Sequence, residues 1–128
     1  MMTRQEIFDT VARHLIAQGK QSSRGPTIGE KSGCLYRGPN GLKCAVGVLI
    51  DDADYNPDME GKSANLPIVR DALSKKVSTL HMPLVAALQE THDKHDSWTY
   101  PTTIVAALRG VADQFALSKD VLRKERKS

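Results

Sequence analysis

The chain has 128 residues, of which 40% are hydrophobic and 26% charged, and these fractions are those of a globular domain rather than a disordered chain. No apolar run reaches the length of a membrane span, and the opening residues MMTRQEIFDT lack a signal-peptide core, so we expect a cytoplasmic protein with no membrane partner. The net charge of +3 excludes a strongly basic body, because the run RKERK at 123–127 carries all of it. We therefore assign residues 1–122 to one globular domain and residues 123–128 to a basic tail.

An amphipathic helix is predicted at the start of the chain. Thr3 and Glu6 fit the pattern of a capping box, in which each residue satisfies a backbone amide of the other. Gly19 is a natural residue to end the helix. The apolar positions repeat at helical spacing and form one face, which consists of Ile7, Phe8, Val11, Leu15 and Ile16.

A loop is predicted to follow, because residues 20–32 show no hydrophobic periodicity and contain several glycines and serines. Its length is typical of functional or mobile loops. Four basic side chains in or shortly after it are candidates for a positive patch: Arg24, Lys31, Arg37 and Lys43. The alternative is that all four are simply solvated.

The segment at 33–61 is the most unusual part of the chain. Residues 34–37 form a short apolar and aromatic run, residues 38–41 spell the turn sequence GPNG, and residues 42–50 form a second apolar run. Two such runs around a turn predict a β-hairpin. The second run is ambiguous, since residues 45–50 fit a buried helix equally well.

Helical periodicity returns after Gly61. One predicted helix starts near Pro67 and continues through Val77 and Leu80, and a second starts near Pro83 with His92 on its apolar face. The last long helix carries the apolar face Ile104, Val105, Leu108, Val111, Ala112 and Phe115, and residues 120–126 fit a further short helix. The predicted fold is α+β: a predominantly helical single domain of about four to five helices with a small β-hairpin.

The central segment contains the motif CxYRGPxGxxCAxGxLI from Cys34 to Ile50, followed by NPxMEG at 56–61 and by LQxxHD at 88–93 with Trp98 beyond it. Together these motifs resemble a family of small hypothetical proteins encoded by tailed phages and prophages, over roughly residues 33–115. The resemblance implies a phage or prophage source inside a bacterial host cell and implies no particular reaction. A phage origin favours a protein of host takeover or counter-defence, and such proteins are mostly small binding proteins, although some are enzymes.

A metal site is one alternative, with Cys34, Cys44, His92 and His95 as candidate ligands. Zinc takes four such ligands in a tetrahedron, and its usual protein sites have closely spaced cysteine and histidine pairs. The spacings here, nine residues between the cysteines and two between the histidines, do not fit. We predict no metal and no cofactor, and interpret the cysteines as small buried apolar residues.

A nucleophilic site is a second alternative, with Cys44 as the thiol, His92 as its base and Asp93 beside it. Asp96 is four residues after His92, a spacing better suited to orienting the histidine ring. Burial of Cys44 within an apolar run argues against a reactive thiol. We therefore do not predict an enzyme, and a small cysteine- or metal-dependent enzyme remains the alternative function.

A non-catalytic binding site is the favoured hypothesis. It lies where the turn at 38–41 meets the loop at 56–61 and the segment at 92–98. Its predicted residues supply a guanidinium fork, an open backbone and flat rings: Tyr36, Arg37, Gly38, Asn40, Lys43, Tyr55, Glu60, His92, Asp93 and Trp98. The competing interpretation is that Arg37 pairs with Glu60 or Asp58 and only fixes the loop.

The expected partner of this site is a host protein or a small ligand, either nucleotide-like or another defence-related small molecule. Nucleic acid bound through the basic tail is a further alternative, although the body of the chain lacks a basic face interleaved with aromatic residues. A homo-oligomer is compatible with the sequence.

Overall fold

The computed structural model describes residues 1–22 and 35–122, and this part of the chain is built from helices and turns without any β-strand. The α-helices are α1 (Arg4–Gln18), α2 (Ala45–Val48), α3 (Pro67–Leu73), α4 (Met82–Asp93) and α5 (Pro101–Gln114). Short 3₁₀ turns lie at Pro39–Gly41, Asp52–Asp54, Pro57–Met59, Thr79–His81 and His95–Trp98. A further helix begins at Asp120, and the predicted tail at 123–128 lies outside the described residues.

The β-hairpin prediction was wrong, because the backbone amides of the central segment bond to groups other than a facing strand. The amide of Val46 donates to Gln89 Oε1 of α4 at 3.0 Å. The amide of Gly47 donates to the Sγ of Cys44, which caps the start of α2, at 3.4 Å. On the other side of the turn, the amides of Tyr36 and Arg37 donate to a side chain. Residues 45–48 are therefore helical.

The core lies between α1, α4 and α5, with α2 packed against α1 and α4. The predicted capping box of α1 is confirmed, since Thr3 and Glu6 bond reciprocally and Gly19 ends the helix with a φ of 72°. The predicted face of α4 is also confirmed. Its buried positions are Leu84, Val85, Leu88, Thr91 and His92. Within the described residues, every helix is too short or too polar to cross a membrane.

Helix α3 is shorter than the periodicity predicted. It ends at Leu73, and a tight turn follows in which the amides of Lys76 and Val77 both donate to the carbonyl of Leu73. Val77 is still buried, but Leu80 lies in the Thr79–His81 turn and is 83% exposed. The apolar repeat thus ran across a chain reversal, which periodicity alone does not reveal.

Candidate functional site

Glu60 joins the loop at 56–61 to the backbone of the central motif. Its two carboxylate oxygens accept the amides of Tyr36 and Arg37 at 2.9 and 3.0 Å. The hydroxyl of Tyr55 donates to the same carboxylate at 2.7 Å. Burial, and then this hydrogen bond to Glu60, raise the pKa of Tyr55 to about 12.

The guanidinium of Arg37 lies at the carboxyl end of α2. It donates to the carbonyls of Gly47 at 2.8 Å and Ile50 at 2.7 Å, and its Nη2 lies 2.9 Å from an oxygen of Asp52. The same group lies 4.9 Å from the ring centre of Tyr55, within the range of a cation–π contact. Arg37 therefore gives the Ile50 carbonyl a charged donor and adds a second donor to the Gly47 carbonyl, which also accepts the Ile50 amide.

These contacts define a structural unit that we call the latch: Tyr36, Arg37, Asp52, Tyr55 and Glu60. From the sequence, the alternative to a binding site was an ion pair between Arg37 and Glu60 or Asp58 that only fixes the loop. In the latch, the Arg37 side chain instead pairs with Asp52, while Glu60 binds the Arg37 backbone. Four of the ten predicted binding residues thus hold one another in place.

The turn at 38–41 lies against α1 rather than against the loop at 56–61. Asn40 and Gly41 have positive φ values of 58° and 80°, so the predicted unusual backbone angles are present. Both residues line a shallow cavity of about 410 Å³ with residues of α1. The side chain of Gln18 on α1 holds the backbone of Lys43: its Oε1 accepts the Lys43 amide at 2.8 Å and its Nε2 donates to the Lys43 carbonyl at 3.0 Å. Asn40 and the backbone of Lys43 therefore lie against α1, while the Lys43 ammonium group lies 3.7 Å from Asp52 of the latch.

His92 is fully buried and both of its ring nitrogens have protein partners. Its Nε2 lies 2.9 Å from the backbone amide of Ser22, which can only donate, so the ring proton resides on Nδ1. That nitrogen donates to Asp93 Oδ1 at 3.0 Å. Trp98 packs edge-on against the ring at 5.8 Å and donates its indole N–H to the His92 carbonyl. Asp93, rather than Asp96, orients the imidazole.

The thiol of Cys44 is fully buried and accepts the amide of Gly47, so it serves as a helix cap. A nucleophile needs access to substrate, and this position provides none. Cys34 and the side chain of His95 lie outside the described residues. In the remainder, no three histidine, cysteine, aspartate or glutamate side chains converge on a position suited to a metal ion.

An open groove of about 570 Å³ lies between α4 and residues 61–65, and we call it the α4 groove. Its apolar lining residues are Tyr36, Val46, Ala64, Met82, Val85 and Ala86. Its polar lining residues include Lys62, Ser63, Asn65, Gln89, Glu90, Asp93 and Lys94. Only Tyr36 and Asp93 were among the predicted site residues. The non-periodic polar run GKSAN at 61–65 was the one signal in the sequence for this surface.

Comparisons with protein-family models, with curated proteins and with solved structures give no match to this chain. The resemblance to small phage and prophage proteins therefore stays a prediction.

Proposed function

We propose that this chain is a non-catalytic accessory protein of a phage or prophage that binds a host protein through the α4 groove. One observation carries the proposal: the groove combines accessible apolar side chains, Ala64, Met82 and Ala86, with a polar rim. An apolar centre surrounded by polar groups is the usual arrangement of a protein-binding surface. The volume of about 570 Å³ accommodates one or two anchoring side chains of a partner.

The internal partners of the reactive residue types support binding rather than catalysis. Cys44 caps α2 and is buried, and both ring nitrogens of His92 are occupied by Ser22 and Asp93. Cys44 and His92 are the thiol and the base that the hypothesis of a cysteine-dependent enzyme requires. Neither faces the α4 groove, whose lining contains no cysteine or histidine.

The charges of the groove support a protein partner over a nucleotide-like ligand. Two lysines, Lys62 and Lys94, are offset by two carboxylates, Glu90 and Asp93. A phosphate group favours a cluster of positive charge or an arginine fork. The Arg37 fork is already bonded to the end of α2, and its side chain is only 17% exposed.

Site-specific photo-crosslinking in the bacterial host tests the proposal. A photoreactive residue is placed at Ala86 or Asn65, which line the groove, and at exposed Asp71 on α3 as the control. We expect the same host protein to be crosslinked from both groove positions and not from Asp71. The crosslink should disappear when Ala86→Arg is added to the Asn65 probe, with the circular dichroism spectrum unchanged. Equal crosslinking from Asp71, or crosslinking that survives Ala86→Arg, contradicts the proposal.

A further inference from the structure

We infer that the α4 groove selects a protein segment in which an apolar side chain lies one or two residues from a lysine or arginine. The basic group binds at the end of the groove formed by Glu90 and Asp93. This inference rests on the proposed function and adds the chemistry of the partner. The alternatives, an uncharged segment or an acidic one, are outcomes of the experiment below.

The end of the groove at Glu90 and Asp93 is electronegative for two reasons. The two carboxylates are three residues apart in the last turn of α4, so they lie on the same side of the helix. The carboxyl end of a helix also carries a partial negative charge, which adds to theirs. Acidic side chains are unfavourable at this end of a helix, and a bound cation removes that cost.

The local basic residue neutralises this end only weakly. Lys94 Nζ lies 3.3 Å from a Glu90 oxygen, but the two side chains are 64% and 70% exposed. Exposed pairs of this type contribute little to stability, so a ligand cation can replace Lys94 at little cost. Lys62, the other lysine of the groove, donates to the carbonyl of Asp58 at 2.6 Å.

The carboxylate of Asp93 is held in a fixed orientation. Its Oδ1 accepts from His92 Nδ1 at 3.0 Å and from Gln89 Nε2 at 2.8 Å. Both bonds go to the same oxygen, and no described residue bonds to Oδ2, which can accept from a ligand. Side-chain rotation is thereby restricted before binding, and preorganisation of this type increases affinity.

The distance between the apolar and acidic parts of the groove sets the spacing in the partner. Ala86 and Glu90 are one helical turn apart, which corresponds to about 6 Å along the axis of α4. Residues in an extended segment advance by about 3.3 Å each, so two positions cover this distance. An apolar side chain over Ala86 and Met82 therefore places a basic residue one or two positions away near Glu90.

Selection from a phage-displayed library of random peptides against the full-length protein tests this inference. We expect enriched peptides to carry an aliphatic or aromatic residue within two positions of a lysine or arginine. A synthetic peptide of the enriched sequence should bind Glu90→Gln or Asp93→Asn about tenfold more weakly than wild type. Asp113→Asn, which alters an exposed carboxylate on α5, is the matched control and should leave Kd unchanged.

The outcomes separate this inference from the proposed function. Two outcomes overturn the inference alone. In the first, the enriched peptides fail to bind the Ala86→Arg variant but show no excess of basic residues. In the second, they bind the Glu90→Gln variant as tightly as wild type. If no enriched peptide is sensitive to Ala86→Arg, the groove does not bind protein segments, and the proposed function fails together with the inference.

Discussion

The backbone of α2 packs so closely on the latch that a Cβ added to Gly47 would lie 2.3 Å from the carbonyl oxygen of Tyr36. Atoms of a real side chain do not approach a backbone oxygen at this distance, and both partners are backbone, so neither can rotate away. Glycine at position 47 is therefore required by the contact between α2 and Tyr36. The latch and α2 form one packed unit.

Gly47→Ala should lower the free energy of unfolding by about 3 kcal/mol, because the added methyl group forces the two backbones apart. Gly110→Ala is the control, since a Cβ at Gly110 on α5 would meet nothing within 4 Å. That change should raise the free energy of unfolding by about 0.5–1 kcal/mol, because alanine is the better helix former. Urea denaturation measures both. Equal effects of the two substitutions would contradict the close packing.

Arg37→Ala should lower the free energy of unfolding by about 1–3 kcal/mol, because the Ile50 carbonyl loses a charged donor and the Gly47 carbonyl loses one of its two donors. The ion pair with Asp52 adds little to this, since Asp52 is 83% exposed and Lys43 lies 3.7 Å from it. Arg37→Lys should recover only part of this loss, since lysine lacks the planar fork. Exposed Arg13 on α1 supplies the control, and Arg13→Ala should change stability by about 0.5 kcal/mol or less.

The same measurement separates two roles for Arg37. A side chain that only binds a ligand leaves the melting temperature unchanged when it is removed, as the sequence-based hypothesis expects. The latch predicts a clear decrease in melting temperature. An Arg37→Ala protein as stable as wild type would show that the guanidinium contacts contribute nothing to the fold.

The latch should also weaken in alkaline solution. The pKa of Tyr55 is raised from 10.0 to about 12, so the folded state favours the neutral phenol. This contribution to stability is complete below pH 10 and is lost as the pH rises through about 12. Ultraviolet titration should show a late-ionising component that loses one tyrosine in Tyr55→Phe and is unchanged in Tyr100→Phe, which alters a side chain that is 66% exposed. A wild-type titration with no late component would contradict the Tyr55–Glu60 contact.

Ala116→Gly should stabilise the protein by about 0.5–1 kcal/mol. Ala116 has a φ of 55°, and the amide of Leu117 donates to the carbonyl of Ala112, as in a Schellman motif. Glycine adopts this conformation without strain. Ala106→Gly, inside α5, should instead destabilise by about 1 kcal/mol. Thermal melts measure the stability change of both variants. Changes of opposite sign confirm the backbone conformation of Ala116, and changes of the same sign would contradict it.

The sequence predicted those parts of the fold that depend on near neighbours. The capping box at Thr3 and Glu6 and the turn at Gly19 involve residues within one helical turn, and the structure confirms both. The apolar faces of α4 and α5 are also regular enough to be predicted.

The β-hairpin was mispredicted because residues distant in sequence determine whether the central segment forms a strand or a helix. Val46 bonds to Gln89, 43 positions away, and Tyr36 bonds to Glu60, 24 positions away. These distant acceptors satisfy amides that a strand partner would otherwise take. Residues with positive φ at Asn40 and Gly41 were correctly predicted as a turn, but the turn leads into the cap of α2.

The α4 groove was missed for a related reason. Its floor uses Val85 and Met82, which are indistinguishable in the sequence from core residues, and its other wall is a polar loop without a motif. Their proximity appears only in three dimensions. The sequence-based hypothesis favoured arginine, histidine and cysteine as functional residue types, but in this fold those side chains bond to other parts of the protein.

Hydrogen–deuterium exchange on the complex with the crosslinked host protein shows whether the α4 groove, rather than the latch and the 38–41 turn, is the binding surface. We predict that binding slows exchange in residues 61–65 and in α4, while the amides of α3 and of the 38–41 turn exchange as in the free protein. Protection confined to the 38–41 turn or to α5, with α4 unchanged, would contradict the claim.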